Sequence, residues 1–293
     1  MKNYSRTDLA CESVPQKVKK GVCDGVTIKQ YADGDVQITE MEIQNGNGER
    51  KTGRKAGKYV TLCAGKVWMY SDCAVAKIRK TLAESIRKAI FSAAEKASNF
   101  LVAGLGNRAI TADALGPLTI DKMTATRHMK VLNRDVFDAI ASCELSLIAP
   151  GVVGQTGIEA SDIIAETAKC VGAECIIAID ALASRSTDRL SCTIQISDSG
   201  IHPGAGIGNS RKEISHYTMG CPVISIGVPT VVDSATLVYD ALEKAKIKDV
   251  PNELEKVLSD GKSFFVSPKD SDIVVSSMSS LIASALTEAL GNI

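Results

Sequence analysis

The chain has 293 residues, 45% of them hydrophobic, enough for one large or two modest domains with a sizeable core. Its 34 basic residues balance 34 acidic ones, which argues against a basic nucleic-acid binder and gives no electrostatic signal for a membrane. No segment approaches the ~20 continuous apolar residues of a membrane span, and the polar stretch Met1 to Asp8 has no secretion-signal core.

In chain order, residues 1–24 are polar and show no clear periodicity. Val26–Tyr31 and Asp35–Ile43 alternate as strands, with Val36, Ile38 and Met41 inward if one irregularity is allowed. Asn45–Gly57, rich in glycine and charge, predicts an exposed loop, and Tyr59–Ala64 predicts another strand. Ser71 or Asp72 caps a long helix running towards Ala97, in which Val75, Ile78, Leu82, Ile86, Ile90 and Ala94 form one buried stripe. Phe100–Ala103 is a short apolar run stopped by the turn Gly104-Leu105-Gly106-Asn107, which marks a buried strand.

A helix from Ala112 to about Met123, a strand around Met129–Leu132 and a strand from Leu145 to Ala149 come next. The glycine loop Pro150–Gly157 leads into a helix, Glu159–Val171, with Thr156 or Ser161 as its cap. Cys175–Ile179 is an apolar strand that ends on Asp180. Cys192–Ile196 and Pro222–Val228 are further strands, separated by a glycine-rich loop from Asp198 to Asn209. Ser234–Lys246 and Ser271–Leu290 close the chain as helices. Alternating strands and helices predict an α/β fold: three layers, α/β/α, around a mixed, mainly parallel sheet, with a smaller β-rich insertion near the N-terminus. Nine scattered cysteines without a C-x-x-C pair read as reduced, mostly buried thiols of a cytosol.

Several motifs carry little. Gly104 to Ala109 matches G-x-G-x-x-A, but a dinucleotide site needs a helix opening inside the glycines, and Pro117 falls where that helix should be established. Asp198-Ser199-Gly200 occurs once, whereas pepsin-like proteases need two such lobes, so it reads as a turn in which Asp198 bonds its own backbone. His128, His202 and His216 have no zinc-binding spacing, and no G-x-S-x-G is present.

Asp113 and Asp180 remain, one in the loop after an apolar strand and one at the end of another. In α/β sheets that edge gathers ligands and chemistry. Either residue alone reads as a helix cap. As a pair, two close carboxylates cannot both ionise easily, so one keeps a proton while the other takes one from water. That suits amide hydrolysis without a nucleophilic side chain. The same pair with a histidine would also suit a metal ion.

At these residues the chain is similar to the germination protease family of spore-forming bacteria. The resemblance covers nearly the whole chain. It rests on Gly104–Asn107, Thr111–Pro117, Thr126–His128, Gly154–Ile164, Ile177–Arg185, Thr193–Gly204 and Gly227–Asp233. It implies an atypical aspartic endopeptidase whose paired aspartates match Asp113 and Asp180, with no cofactor. The implied substrates are small acid-soluble spore proteins, and the implied location is the cytoplasm of the forespore or spore core. The implied assembly is a homotetrameric zymogen that removes its own propeptide. The Gly-x-Gly-Asn turn also resembles hydrogenase-maturation endopeptidases, which use bound metal. A metal-dependent endopeptidase and a non-catalytic phosphate- or nucleotide-binding protein are therefore the alternatives.

Three expectations follow. Asp113 and Asp180 should meet at the sheet edge. Gly154 and Gly157 and the loop Asp198–Asn209 should border the same cleft, with Arg185 and His202 positioning the substrate. Substrates cut after an acid in a Thr-Glu-Phe-Ala-like context are implied by the family, and Thr7-Asp8-Leu9-Ala10 has the same order of residue types. Processing is therefore expected between Asp8 and Leu9, giving a propeptide of residues 1–8 and a single protease domain of residues 9–293.

Overall fold

The computed structural model describes residues 7–14, 21–23, 25–204, 211–247, 250–259 and 264–291. Most of the predicted propeptide, residues 1–6, and the stretch 205–209 of the predicted loop lie outside the described residues.

Among the described residues, ten strands form one sheet: β1 (Gly21–Cys23), β2 (Val26–Asp33), β3 (Val36–Ile43), β4 (Gly57–Cys63), β5 (Asn99–Gly104), β6 (Glu144–Ile148), β7 (Cys175–Ser184), β8 (Thr193–Ser197), β9 (Val223–Asp233) and β10 (Phe265–Val266). Their order is β1-β2-β3-β4-β8-β9-β7-β5-β6, and β10 pairs with β9. The pairs β9·β7, β7·β5 and β5·β6 are parallel. From β9 through β8 to β1 the pairing is antiparallel. The fold is thus a mixed α/β sheet, and its N-terminal β-rich part continues that sheet through the β4·β8 pair.

Strands β5, β7 and β9 are buried along nearly their whole length, as strands covered on both faces must be. Phe100, Val102, Ile177, Ile179, Ile224 and Ile226 face one layer, built from the helices Asp72–Ala94, Leu115–Ile120 and Ser271–Leu290. Leu101, Ala103, Ile176, Ala178 and Val223 face the other, where Ile164 and Ala168 of the helix Ala160–Val171 pack. Alternate residues of a strand point to opposite faces, so one apolar run serves two cores. Ser71 caps the long helix by accepting from the Ala74 N–H. Ser271–Leu290 is long and apolar enough to cross a membrane, but Val275, Met278, Ile282 and Leu286 are buried in the core.

The sequence expectations fail at several points. Gly46–Thr52 is a helix, not loop: the Asn45 side chain accepts from the Asn47 and Gly48 N–H groups, and Gly53 closes it in a left-handed conformation at φ 67°. Met129–Leu132 lies in a helix, Arg127–Leu132, not a strand; Val131 and Leu132 are exposed, so their apolar character reports no buried face. The helix Ala160–Val171 has neither Thr156 nor Ser161 as its cap; Glu159 holds that position with no side-chain bond. In β3 the expected irregularity is a change of face. Its register with β2 and β4 is unbroken, yet Val36 and Ile38 enter the first core while Met41 and Ile43 pack with Ala10 and Val14 on the opposite side.

Candidate active site

β5 stops at Gly104, against the helix Leu115–Ile120: a Cβ there would stand 2.3 Å from the Gly116 carbonyl oxygen. The Leu105 N–H donates to the Ile179 carbonyl at 2.7 Å, pinning the turn to β7. Gly106 has φ +110°, and a Cβ on it would lie 2.0 Å from the Asp113 carbonyl oxygen. Only glycine satisfies both the conformation and that approach. The chain then folds back through a 3₁₀ turn, Thr111–Asp113, rather than opening a helix at the glycines as a dinucleotide site requires. The Asn107 N–H donates to Asp113 Oδ2 at 2.7 Å, and the Thr230 hydroxyl fixes the Ala112 carbonyl at 2.6 Å. Asp113 is half-buried.

Asp180 is not at the end of its strand. β7 runs on to Ser184 because β9 stays paired with it past a bulge between Leu182 and Ala183. β5 ends beside Ile179, so beyond that point β7 loses its neighbour on the β5 side. Asp180 is 6% exposed, and its Oδ1 accepts the Ala181 N–H at 2.9 Å.

Asp113 and Asp180 line one cleft of about 130 Å³ with Gly106, Gly151, Val153 and Arg211. On its other side Asp180 opens on a larger cleft of about 540 Å³, shared with Asp8, Arg54, Gln195 and His202. Gly204 borders both. Burial pushes the Asp180 carboxyl well above the ordinary 3.8, and the negative charges of Asp113 and then Asp8 add to it. Burial also raises Asp113, opposed by the Asn107 N–H. Crowded, desolvated carboxylates favour the protonated form, and Asp180 is the stronger case.

The segment Thr7–Val14 occupies this ground. The Asp8 N–H donates to the Ala183 carbonyl at 2.8 Å, and the Ala183 N–H returns to Asp8 Oδ2 at 2.8 Å. The chain therefore lies along the vacant side of β7. Leu9 and Ala10 are fully buried. Gln195 bonds the Asp8 carbonyl and the Ala10 N–H, and Arg54 donates to the Thr7 carbonyl. Glu12, 5% exposed, accepts the Arg185 N–H at 2.7 Å and the Ser186 N–H at 3.1 Å.

The other expected residues are placed as follows. Gly154 lies in the short helix Val153–Thr156 and Gly157 caps it; both are exposed and neither lines these clefts, where Gly151, Val152 and Val153 stand instead. Ser199, Gly200, Ile201, His202 and Gly204 border the larger cleft. His202 Nε2 is 3.5 Å from Glu213 Oε1. Arg185 follows β7 and contributes its N–H to Glu12. Asp198 does not bond its own turn; its Oδ1 accepts the Lys58 N–H at 2.7 Å across the β4·β8 edge. Among the described residues, no three His, Cys, Asp or Glu side chains gather as metal ligands. Gln195, Arg54 and Glu12 escaped the sequence reading. Gln195 is marked there only as a polar residue in the alternating Thr193–Ser197.

The family model described as Germination protease matches residues 5–255. A Germination protease of Clostridium tetani is 36% identical over 310 residues, covering 97% of this chain and 95% of its own length. One from Oceanobacillus iheyensis is 42% identical over 249 residues, covering 81% of this chain and 66% of its own. Among solved structures, the NiFe hydrogenase maturation protease HycI from Thermococcus kodakarensis KOD1 is 11% identical, covering 69% of this chain and 99% of its own at a TM-score of 0.37. The chain is a peptidase and belongs to the germination protease family.

Proposed function

We propose that this chain is an endopeptidase that initiates breakdown of small acid-soluble spore proteins during germination in the spore core. It is made as a zymogen and uses Asp113 and Asp180 as a water-activating pair. The observation that carries the reading is the position of Thr7–Ala10. A segment of hydroxyl, acid, apolar and alanine residues lies along β7 beside Asp180, with the Asp8 N–H donating to the Ala183 carbonyl and the Asp8 side chain accepting the Ala183 N–H.

In this reading Asp113, held by the Asn107 N–H, is the ionised member and takes a proton from water. The water oxygen bonds to the carbonyl carbon of the acidic residue. Asp180, the more strongly raised carboxyl, gives its proton to the leaving nitrogen as the C–N bond breaks. The pair ends with its proton exchanged, ready to be reset by solvent. Cleavage between Asp8 and Leu9 releases Met1–Asp8. The mature chain from Leu9 keeps Glu12 on the Arg185 and Ser186 N–H groups. Assembly into a homotetramer belongs to the same reading, supported by the exposed apolar side chains Val131, Leu132 and Ile140.

Intact-mass measurement of the purified full chain during incubation tests the zymogen part. The expected product starts at Leu9 and is absent from Asp113→Asn. Loss of a different segment, or the same loss in that variant, refutes autocleavage at this bond.

A further inference from the structure

We infer that Gln195 is a further catalytic residue: its side-chain amide grips the peptide across the cleaved bond and donates a hydrogen bond to the carbonyl oxygen under attack. The inference rests on the reading that Asp8–Leu9 is that bond.

The sheet register places the amide. Gln195 of β8 pairs with Gly227 of β9, and Gly227 pairs with Asp180 of β7. Residues opposite one another on neighbouring strands project to the same face. Gln195 and Asp180 therefore rise from one row, two strands apart, on either side of a residue with no side chain. All three line the larger cleft with Asp8. The row has an acid on one side and an amide on the other, and the Leu182 side chain folds over the glycine between them, where a Cβ would stand 2.5 Å from its Cδ1.

The N-terminal segment settles which end of the amide is which. The Ala10 N–H, which can only donate, lies 2.7 Å from Gln195 Oε1. The Asp8 carbonyl, which can only accept, lies 3.2 Å from Gln195 Nε2. Exchanging oxygen and nitrogen would set donor against donor and acceptor against acceptor, so the orientation is fixed by the network. Gln195 is 8% exposed, and a buried amide demands partners. Among the described residues both of these partners come from the segment, one on each side of Leu9.

The chemistry follows from that placement. When the water oxygen bonds to the Asp8 carbonyl carbon, the π electron pair moves onto the carbonyl oxygen. That oxygen becomes an oxyanion facing the Gln195 Nε2–H group. A fixed donor stabilises the developing charge more than the neutral carbonyl, which is how it speeds the step. Collapse returns the pair to the carbonyl and expels the Leu9 nitrogen, which takes its proton from Asp180. The acceptor half of the amide, holding the Ala10 N–H, supplies register and does not touch the reacting atoms.

Gln195→Glu separates the two halves, because a carboxylate keeps the acceptor and loses the donor. The single-turnover rate of self-processing is read by intact mass, and docking is read by hydrogen exchange at Ala10. At neutral pH the variant is expected to process ~10²-fold more slowly, the cost of removing one such donor, with Ala10 exchange unchanged. As pH falls and the new carboxyl regains a proton to donate, the gap to the parent chain should narrow. Gln195→Ala, losing both halves, should be as slow or slower at every pH and should also expose Ala10; it serves as the reporter if the glutamate variant does not fold. Processing of either variant within a few-fold of the parent overturns the inference and leaves the processing reading standing. A slowing of Gln195→Glu matched by an equal loss of Ala10 protection also overturns it. A parent chain that never cuts Asp8–Leu9 overturns both.

Discussion

Replacing Glu12 by alanine tests what holds the N-terminal segment on β7. Its carboxylate accepts the Arg185 N–H at 2.7 Å, the Ser186 N–H at 3.1 Å and the Thr7 hydroxyl at 2.5 Å, and stands 3.5 Å from Arg189 Nε. Alanine leaves two backbone N–H groups without that acceptor. A buried donor so stranded costs about 1–3 kcal/mol, so the pair costs about 2–6 kcal/mol, with entering water keeping the loss near the lower end. Glu12 belongs to the segment and its backbone donors, Arg185 and Ser186, lie outside it, so this loss falls on docking of the segment. Because each 1.4 kcal/mol is tenfold in an equilibrium, the docked state loses at least about 30-fold in population ratio. Hydrogen exchange resolved to single amides should show Asp8 and Ala10 exchanging faster by about that factor, while β5 and β9 stay unchanged. Unaltered exchange at both amides would refute the claim that Glu12 is the latch.

Asp180→Asn should raise stability near neutral pH while abolishing cleavage. The Asp180 carboxyl is held well above 3.8 by burial, then by the charges of Asp113 and Asp8. The folded chain thus favours its protonated form: that stability is complete below 3.8 and is lost as pH rises through the raised folded value. Asparagine removes the loss, about 1.4 kcal/mol per unit raised, so urea midpoints of variant and parent should converge at low pH and separate as pH rises. A gap that does not change with pH contradicts this. For the same reason self-processing should speed up as pH falls from neutral, measured as intact mass against time; a rate that falls instead would contradict a protonated working state. Gly106→Ala should cost about 1–3 kcal/mol from its backbone conformation alone. It should also lower kcat by displacing Asp113, whose carbonyl oxygen stands 2.0 Å from the added carbon; an unperturbed kcat would show the turn is not needed.

The strands of the parallel half are legible in the sequence because burial on both faces writes continuous apolar runs, as in Phe100–Ala103 and Cys175–Ile179. The long helix is legible because Ile78, Leu82, Ile86 and Ile90 face one core. What escapes depends on partners distant in sequence. β7 continues past Asp180 because β9 pairs there and residues 7–8 take its other side, neither of which Asp180-Ala181-Leu182 announces. The helix at Gly46 hides behind glycines, although Asn45 and Gly53 are its start and stop signals. Gln195 looks like any polar residue of an alternating strand until the register sets it across Gly227 from Asp180. Among the glycines after Pro150, nothing local distinguishes Gly151, which lines the cleft, from the exposed Gly154 and Gly157.

Whether two carboxylates act as one unit is measured most directly by cleavage of a purified small acid-soluble spore protein by the parent chain, Asp113→Asn and Asp180→Asn. Cut sites are mapped by mass spectrometry, and folding of each variant is verified by its urea midpoint. The parent chain is expected to cut after an acidic residue, and each variant to lose on the order of 10⁴-fold or more in kcat, as when a member of a concerted catalytic set is removed. A folded Asp113→Asn or Asp180→Asn that keeps its rate within tenfold of the parent would contradict the account.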